Sequence, residues 1–129
     1  MQIMSLKKLL ESFKYAFRGL FYIFRTEQNF RMQIFIALIV IAFMLYFPLS
    51  ILERVGILIL ILLVLCLEII NTIVEKIANV LKPRVHPCIQ VIKDLTAGAV
   101  LLSAIGSIII ALLIFLPHFQ ERIHFFNFH

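Results

Sequence analysis

The sequence has no tryptophan, two cysteines, four glycines and four prolines in 129 residues, and only 15% of its residues are charged. Each shortage excludes something. Cys66 lies inside an apolar run and Cys88 in a polar loop, so they make neither a CxxC pair nor a disulfide framework. No GxxxxGK[ST] stretch occurs, so a nucleotide site in this chain is not a P-loop. A soluble domain is about half apolar and about a quarter charged. Here 63% of residues are hydrophobic and the mean hydropathy is +1.07. A globule of this size leaves too much surface exposed to hide that excess. An ordinary soluble enzyme, a disordered chain and a fibrous repeat are therefore excluded. What remains is an integral membrane protein, expected as one domain over residues 1–129.

Acidic residues are also scarce: seven Asp and Glu stand against twelve Lys and Arg, for a net charge of +5. The basic residues flank apolar segments, which reads as orientation in a membrane rather than nucleic-acid binding. The first long apolar run begins only at Met32, behind a charged segment, so no cleavable signal peptide is expected.

Periodicity predicts an all-α membrane protein: an N-terminal amphipathic surface helix, about 5–27, then three transmembrane helices, about 30–48, 52–82 and 90–117. In the first segment Leu6, Leu9, Leu10, Phe13, Phe17, Leu20, Phe21 and Phe24 recur at helical spacing. Ser5 is placed to cap it. Lys7, Lys8, Glu11, Lys14, Arg18 and Arg25 lie largely off the apolar stripe, the pattern of a helix lying in the membrane interface. The alternative is a soluble helix packed on a partner. Residues 32–52 run 21 positions without a charge and 95–120 run 26, each enough to span a bilayer. Pro48 and Pro117 mark the expected ends of the first and third spans.

Lys7, Lys8, Lys14, Arg18, Arg25 and Arg31 precede the first span, and Lys76, Lys82, Arg84 and Lys93 border the loop between the second and third. The turn at 48–54 has only Arg54 and the tail only Arg122. By the positive-inside rule the N-terminus is cytoplasmic and the C-terminus outside.

The second span carries Glu68, Asn71, Glu75, Asn79 and Lys82, spaced 3, 4, 4 and 3, on one helix face. Carboxylates at membrane depth are costly, so they face protein or water, either as interhelical glue or for chemistry. Acidic oxygens suit Mg²⁺, which takes few carboxylates and keeps water or phosphate as its other ligands. Glu27, just before the first span, and Glu75, near the cytoplasmic boundary, are placed to converge on one ion. Lys93 and Asp94 open the third span. A lysine at a helix start suits phosphate; Lys93 also fits as a positive-inside anchor, a role that leaves Asp94 unexplained. His86 in the PRVHP loop reads as a plain loop histidine or as a phosphate or metal contact. Ala99, Ser103, Ser107 and Ala111 recur every four residues, a stripe that lets helices approach closely. Three spans enclose a polar stripe poorly, so a homo-oligomer is expected.

Four stretches, FKYAFRGL (13–20), TEQNFR (26–31), LEIINTIVE (67–75) and KDLTAGAVLL (93–102), resemble the small bacterial membrane lipid kinases, the family of diacylglycerol kinase and undecaprenol kinase. The resemblance covers nearly the whole chain. It implies a bacterial inner-membrane homotrimer, with active sites between subunits, that transfers the γ-phosphoryl group of MgATP to a membrane lipid alcohol. By position, Glu68 resembles the catalytic carboxylate and Asn71 the asparagine one turn on. Glu27 and Glu75 match the metal-binding glutamates, which also border the nucleotide. Tyr15, His86, Lys93 and Asp94 match nucleotide-associated residues. Lys8 and Arg84 are further nucleotide candidates whose surroundings match less closely. Asn79 stands in the nucleotide region where the family usually has Asp.

TEQNFR and KDLTAGAVLL look more like the undecaprenol-kinase branch, and the absence of tryptophan agrees. Undecaprenol is therefore favoured over diacylglycerol as acceptor. A reading from another class is a non-catalytic oligomeric subunit using its acids as a polar interface or cation path. Glu27, Lys93 and Asp94 beside the stripe discriminate against it, because a simple interface does not require them.

Overall fold

The computed structural model describes residues 5–81 and 87–128 and is all-helical there, with α1 (Leu6–Thr26), α2 (Gln28–Tyr46), α3 (Ile51–Leu81) and α4 (Pro87–Asn127). Lys82, Arg84 and His86 lie outside the described residues. Short polar side chains set where helices begin. The Ser5 hydroxyl accepts the Lys8 amide at 3.2 Å and caps α1. Ser50 does the same for α3: its Oγ accepts the Glu53 amide at 3.2 Å and donates to Glu53 Oε1 at 3.1 Å. Pro87 opens α4, where its missing N–H has no intrahelical partner to lose.

Between α1 and α2 the chain leaves the helical region for one residue, Glu27, at φ −107° and ψ 112°. Arg31 fixes this joint. Its guanidinium donates to the carbonyls of Phe24 at 3.0 Å and Arg25 at 2.8 Å, supplying partners and positive charge to the C-terminal end of α1.

The apolar helices α2, α3 and α4 are each long enough to cross a membrane. At 1.5 Å per residue, the 31 residues of α3 span about 46 Å, well beyond a hydrocarbon core of about 30 Å.

The packed core sits at one end, under the turn between α2 and α3. Met44, Phe47, Leu49, Ile57 and Phe115 are buried together there. Phe47 and Phe119 meet at a tilt with ring centroids 4.7 Å apart, and Phe43 meets Phe115 edge-on at 6.2 Å.

That packing corrects one expectation. The third apolar helix does not end at Pro117 but continues to Asn127. A mid-helix proline removes one donor and crowds the preceding turn. Here the turns beyond it are held from the side. His118 Nε2 lies 3.3 Å from Glu53 Oε2, and Arg122 donates to the Tyr46 hydroxyl with its guanidinium 4.2 Å from that ring's centroid. These contacts compensate for the lost hydrogen bond.

Most large apolar side chains are exposed along the three long helices. A lone chain in water would not leave such an area uncovered; lipid or further copies cover it. The small-residue stripe of α4 divides. Ser107 and Ala111 line a groove facing α2 and α3, while Ala99 is exposed. A Cβ added at Gly98 or Gly106 would touch nothing within 4 Å, so neither serves close packing within one chain.

Candidate active site

Buried polar groups gather on α3 far from the aromatic core. Glu68, Asn71 and Thr72 are only 3%, 7% and 6% exposed. Helical spacing puts Glu68, Asn71 and Glu75 on one face, and each polar atom must find a partner there. Gln33 on α2 donates from Nε2 to Glu68 Oε2 at 3.1 Å. Thr72 returns its hydroxyl to the Glu68 carbonyl at 3.0 Å, within the helix. Asn71 Nδ2 donates to Glu75 Oε1 at 3.3 Å. Asn71 Oδ1 is buried with no hydrogen-bond partner, an acceptor left open beside two carboxylates.

Glu27 joins this group from the α1–α2 joint. Its Oε1 lies 3.9 Å from Lys76 Nζ, and Lys76 in turn sits 5.5 Å from the centroid of the Tyr22 ring. Both Glu27 and Glu75 lie within electrostatic reach of Glu68. Three acids from two places in the chain therefore share one region, with the Lys76 ammonium against it among the described residues.

Other residues singled out by the sequence do not join this group in one chain. On α1, Lys8 and Tyr15 are exposed, and Tyr15 is covered only by the Arg18 guanidinium at 5.6 Å. Asn79 is exposed one turn beyond Glu75. Asp94 Oδ1 accepts from Gln90 Nε2 at 2.9 Å, within the first turns of α4. Lys93 is half-buried beside it.

Among the described residues no three His, Cys, Asp or Glu side chains form a metal cage. The donor set nevertheless fits Mg²⁺. Carboxylate oxygens and an open amide oxygen are hard ligands, and Mg²⁺ usually takes one or two protein carboxylates beside water and phosphate. Glu27 and Glu75 would hold such an ion.

Sequence reasoning missed Gln33 and gave Lys76 no role beyond the membrane boundary. The signal for Gln33 was present: it is the only amide in the 21-residue charge-free run, and an amide at that depth needs a buried partner.

A groove of about 170 Å³ runs between α2, α3 and α4, lined by Gln33, Ala37, Ile61, Val64, Ala104 and Ser107 among others. Its walls are almost wholly apolar, and Gln33, the partner of Glu68, marks its polar end.

Three helices long and apolar enough to span a bilayer, with carboxylates gathered on one of them and at the α1–α2 joint, define a multi-pass helical membrane protein. Residues 14–115 match the family model described as prokaryotic diacylglycerol kinase. The chain belongs to that family. It is 38% identical over 113 residues to undecaprenol kinase of Bacillus subtilis (strain 168), covering 88% of this chain and 92% of that protein. It is 37% identical over 115 residues to diacylglycerol kinase of Synechocystis sp. (strain ATCC 27184 / PCC 6803 / Kazusa), covering 84% of this chain and 63% of that longer protein.

Proposed function

We propose that this chain phosphorylates a long-chain membrane lipid alcohol, undecaprenol in preference to diacylglycerol, at the cytoplasmic face of a bacterial membrane. Family membership makes it an ATP-dependent lipid kinase. The observation that carries the residue-level reading is Glu68, buried, oriented by Gln33 and standing beside the open oxygen of Asn71.

Phosphoryl transfer asks mainly for positioning and charge stabilisation. In this reading Glu68 accepts the proton of the lipid hydroxyl as that oxygen attacks the γ-phosphorus of ATP, and ADP departs. Gln33 holds Glu68 Oε2, leaving Oε1 to face the hydroxyl. Asn71 and Glu75 form the next turn toward the nucleotide. Glu27 and Glu75 would hold Mg²⁺, which would supply charge neutralisation on the phosphates. Tyr15, Lys93, Asp94 and Asn79 border the nucleotide, with Lys8, Arg84 and His86 as further contacts. The apolar groove gives an isoprenoid chain a path that ends beside Glu68.

The N-terminal helix lies on the cytoplasmic membrane surface with its apolar stripe inward, and the C-terminus is outside. A homotrimer brings the exposed nucleotide residues of one copy to the acids of the next. This accounts for their separation within one chain and for the open faces at Gly98 and Gly106. Preference for undecaprenol rests on TEQNFR and KDLTAGAVLL, and the near-complete coverage of the Bacillus subtilis kinase supports it. A non-catalytic subunit is not favoured, given the family.

The test is phosphate transfer from radiolabelled ATP by purified protein in mixed micelles. Undecaprenol and diacylglycerol are offered separately, with Mg²⁺ and with chelator. Mg²⁺-dependent label on undecaprenol above diacylglycerol is expected. Label on diacylglycerol alone overturns the acceptor assignment, and no label on either overturns the kinase reading.

A further inference from the structure

Among the described residues Lys76 is the lysine that stands against the acid cluster, and a boundary anchor does not account for its contacts. A positive-inside lysine needs only to reach water and headgroups. Lys76 instead turns toward α1. Its Nζ lies 3.9 Å from Glu27 Oε1 and 5.5 Å from the centroid of the Tyr22 ring, with its side chain half exposed. Tyr22 acts on it most strongly, the charges of Glu27 and Glu75 act on it as well, and both acids also act on Glu68. Carboxylates gathered this closely repel one another unless a cation stands among them.

We propose that Lys76 is a tethered counter-cation of the acid cluster, which neutralises Glu27 in the resting enzyme and competes with the divalent ion for that carboxylate. This rests on the reading of Glu27 as a metal-binding residue. The Tyr22 ring, 5.5 Å from the same ammonium, shares the charge with Glu27 and helps to hold it in place. Lys76 is thus a positioning residue. It holds Glu27, and with it the joint between α1 and α2, facing α3 until metal and nucleotide arrive.

The test measures Mn²⁺ binding by electron paramagnetic resonance, using the full chain in micelles without nucleotide. Lys76→Met keeps the length of the stem and removes the charge. It is expected to tighten Mn²⁺ binding by up to about fivefold, the upper end for a partly exposed ion pair. The Mg²⁺ concentration for half-maximal lipid phosphorylation should fall by a similar factor. Lys76→Arg should stay near wild type. In a Glu27→Gln background, Lys76→Met should no longer change Mn²⁺ affinity. Lys76→Gln serves as a second neutral variant if the methionine form does not assemble.

A purely structural clamp predicts lower stability with Mn²⁺ affinity unchanged or weakened, and that result overturns the proposal. If the wild type phosphorylates lipid while both neutral variants bind Mn²⁺ as it does, the counter-cation role fails and the kinase reading stands. If the wild type neither binds Mn²⁺ nor transfers phosphate, both fail.

Discussion

Gln33 Nε2 donates to Glu68 Oε2 across 3.1 Å, joining α2 to α3 through a carboxylate that is only 3% exposed. Substituting Gln33 by leucine would leave that buried oxygen unsatisfied, at a cost of about 1–3 kcal/mol. The expected result is a kcat reduced about tenfold or more while KM for ATP stays within about twofold. Steady-state kinetics in mixed micelles decides it. An effect confined to KM for ATP would place Gln33 with the nucleotide instead.

Removing the carboxylate of Glu68 tests the proposed base directly. Glu68→Gln keeps the shape and a partner for Gln33, so the fold should persist. Loss of a general base costs about 10²–10⁴ in rate. Activity within tenfold of wild type, in protein of unchanged assembly, would remove Glu68 from the chemistry.

Asn79 is exposed one turn beyond Glu75, at i+4 on the same helix face. Asn79→Asp adds a charge on the side where metal and phosphates are proposed to sit. A lower Mg²⁺ requirement, by a few-fold, is expected in titrations at fixed ATP. An unchanged or higher requirement would separate position 79 from the metal.

Arg122 reaches across to Tyr46, donating to its hydroxyl and lying over its ring, while its guanidinium also stands 5.7 Å from the Phe47 ring. Arg122→Ala should lower the thermal midpoint, with a loss of about 0.5–1 kcal/mol for an exposed cation–π contact. Turnover below the transition should not change. A variant that melts like wild type but turns over slowly would contradict the assignment of this contact to stability.

Assembly and orientation are checked by two measurements. The chain mass is 15.0 kDa, so light scattering corrected for detergent should give about three times that value. A cysteine at Asn127 in a cysteine-free background should react with an impermeant maleimide in intact cells. A monomer mass, or labelling only after lysis, would overturn the corresponding proposal.

Much of this arrangement was legible in the sequence. The charge-free runs, the Ser5 cap and the one-face spacing of Glu68, Asn71 and Glu75 follow from local rules, and those segments became helices carrying these groups together. Long-range partners were not legible. Nothing in the spacing of Gln33 names Glu68, 35 residues away. Pro117 misled for the same reason: the residues that carry α4 past it, Glu53 and Tyr46, lie on other helices. Lys93 and Asp94 were recognisable by motif, yet one chain gives them no contact with the acids among its described residues.

The packed aromatic core and the acid cluster stand at opposite parts of α3, with Ile57 in one and Glu68 in the other, about 16 Å apart along the helix. Durability and reactivity are thereby divided between two ends of one rod. A calorimeter mostly reports the first and an assay the second. Under the role proposed for Glu68, substitutions near it are expected to change turnover without loosening the aromatic end. A chain that melts normally can therefore be inert, and an inert chain need not be misfolded.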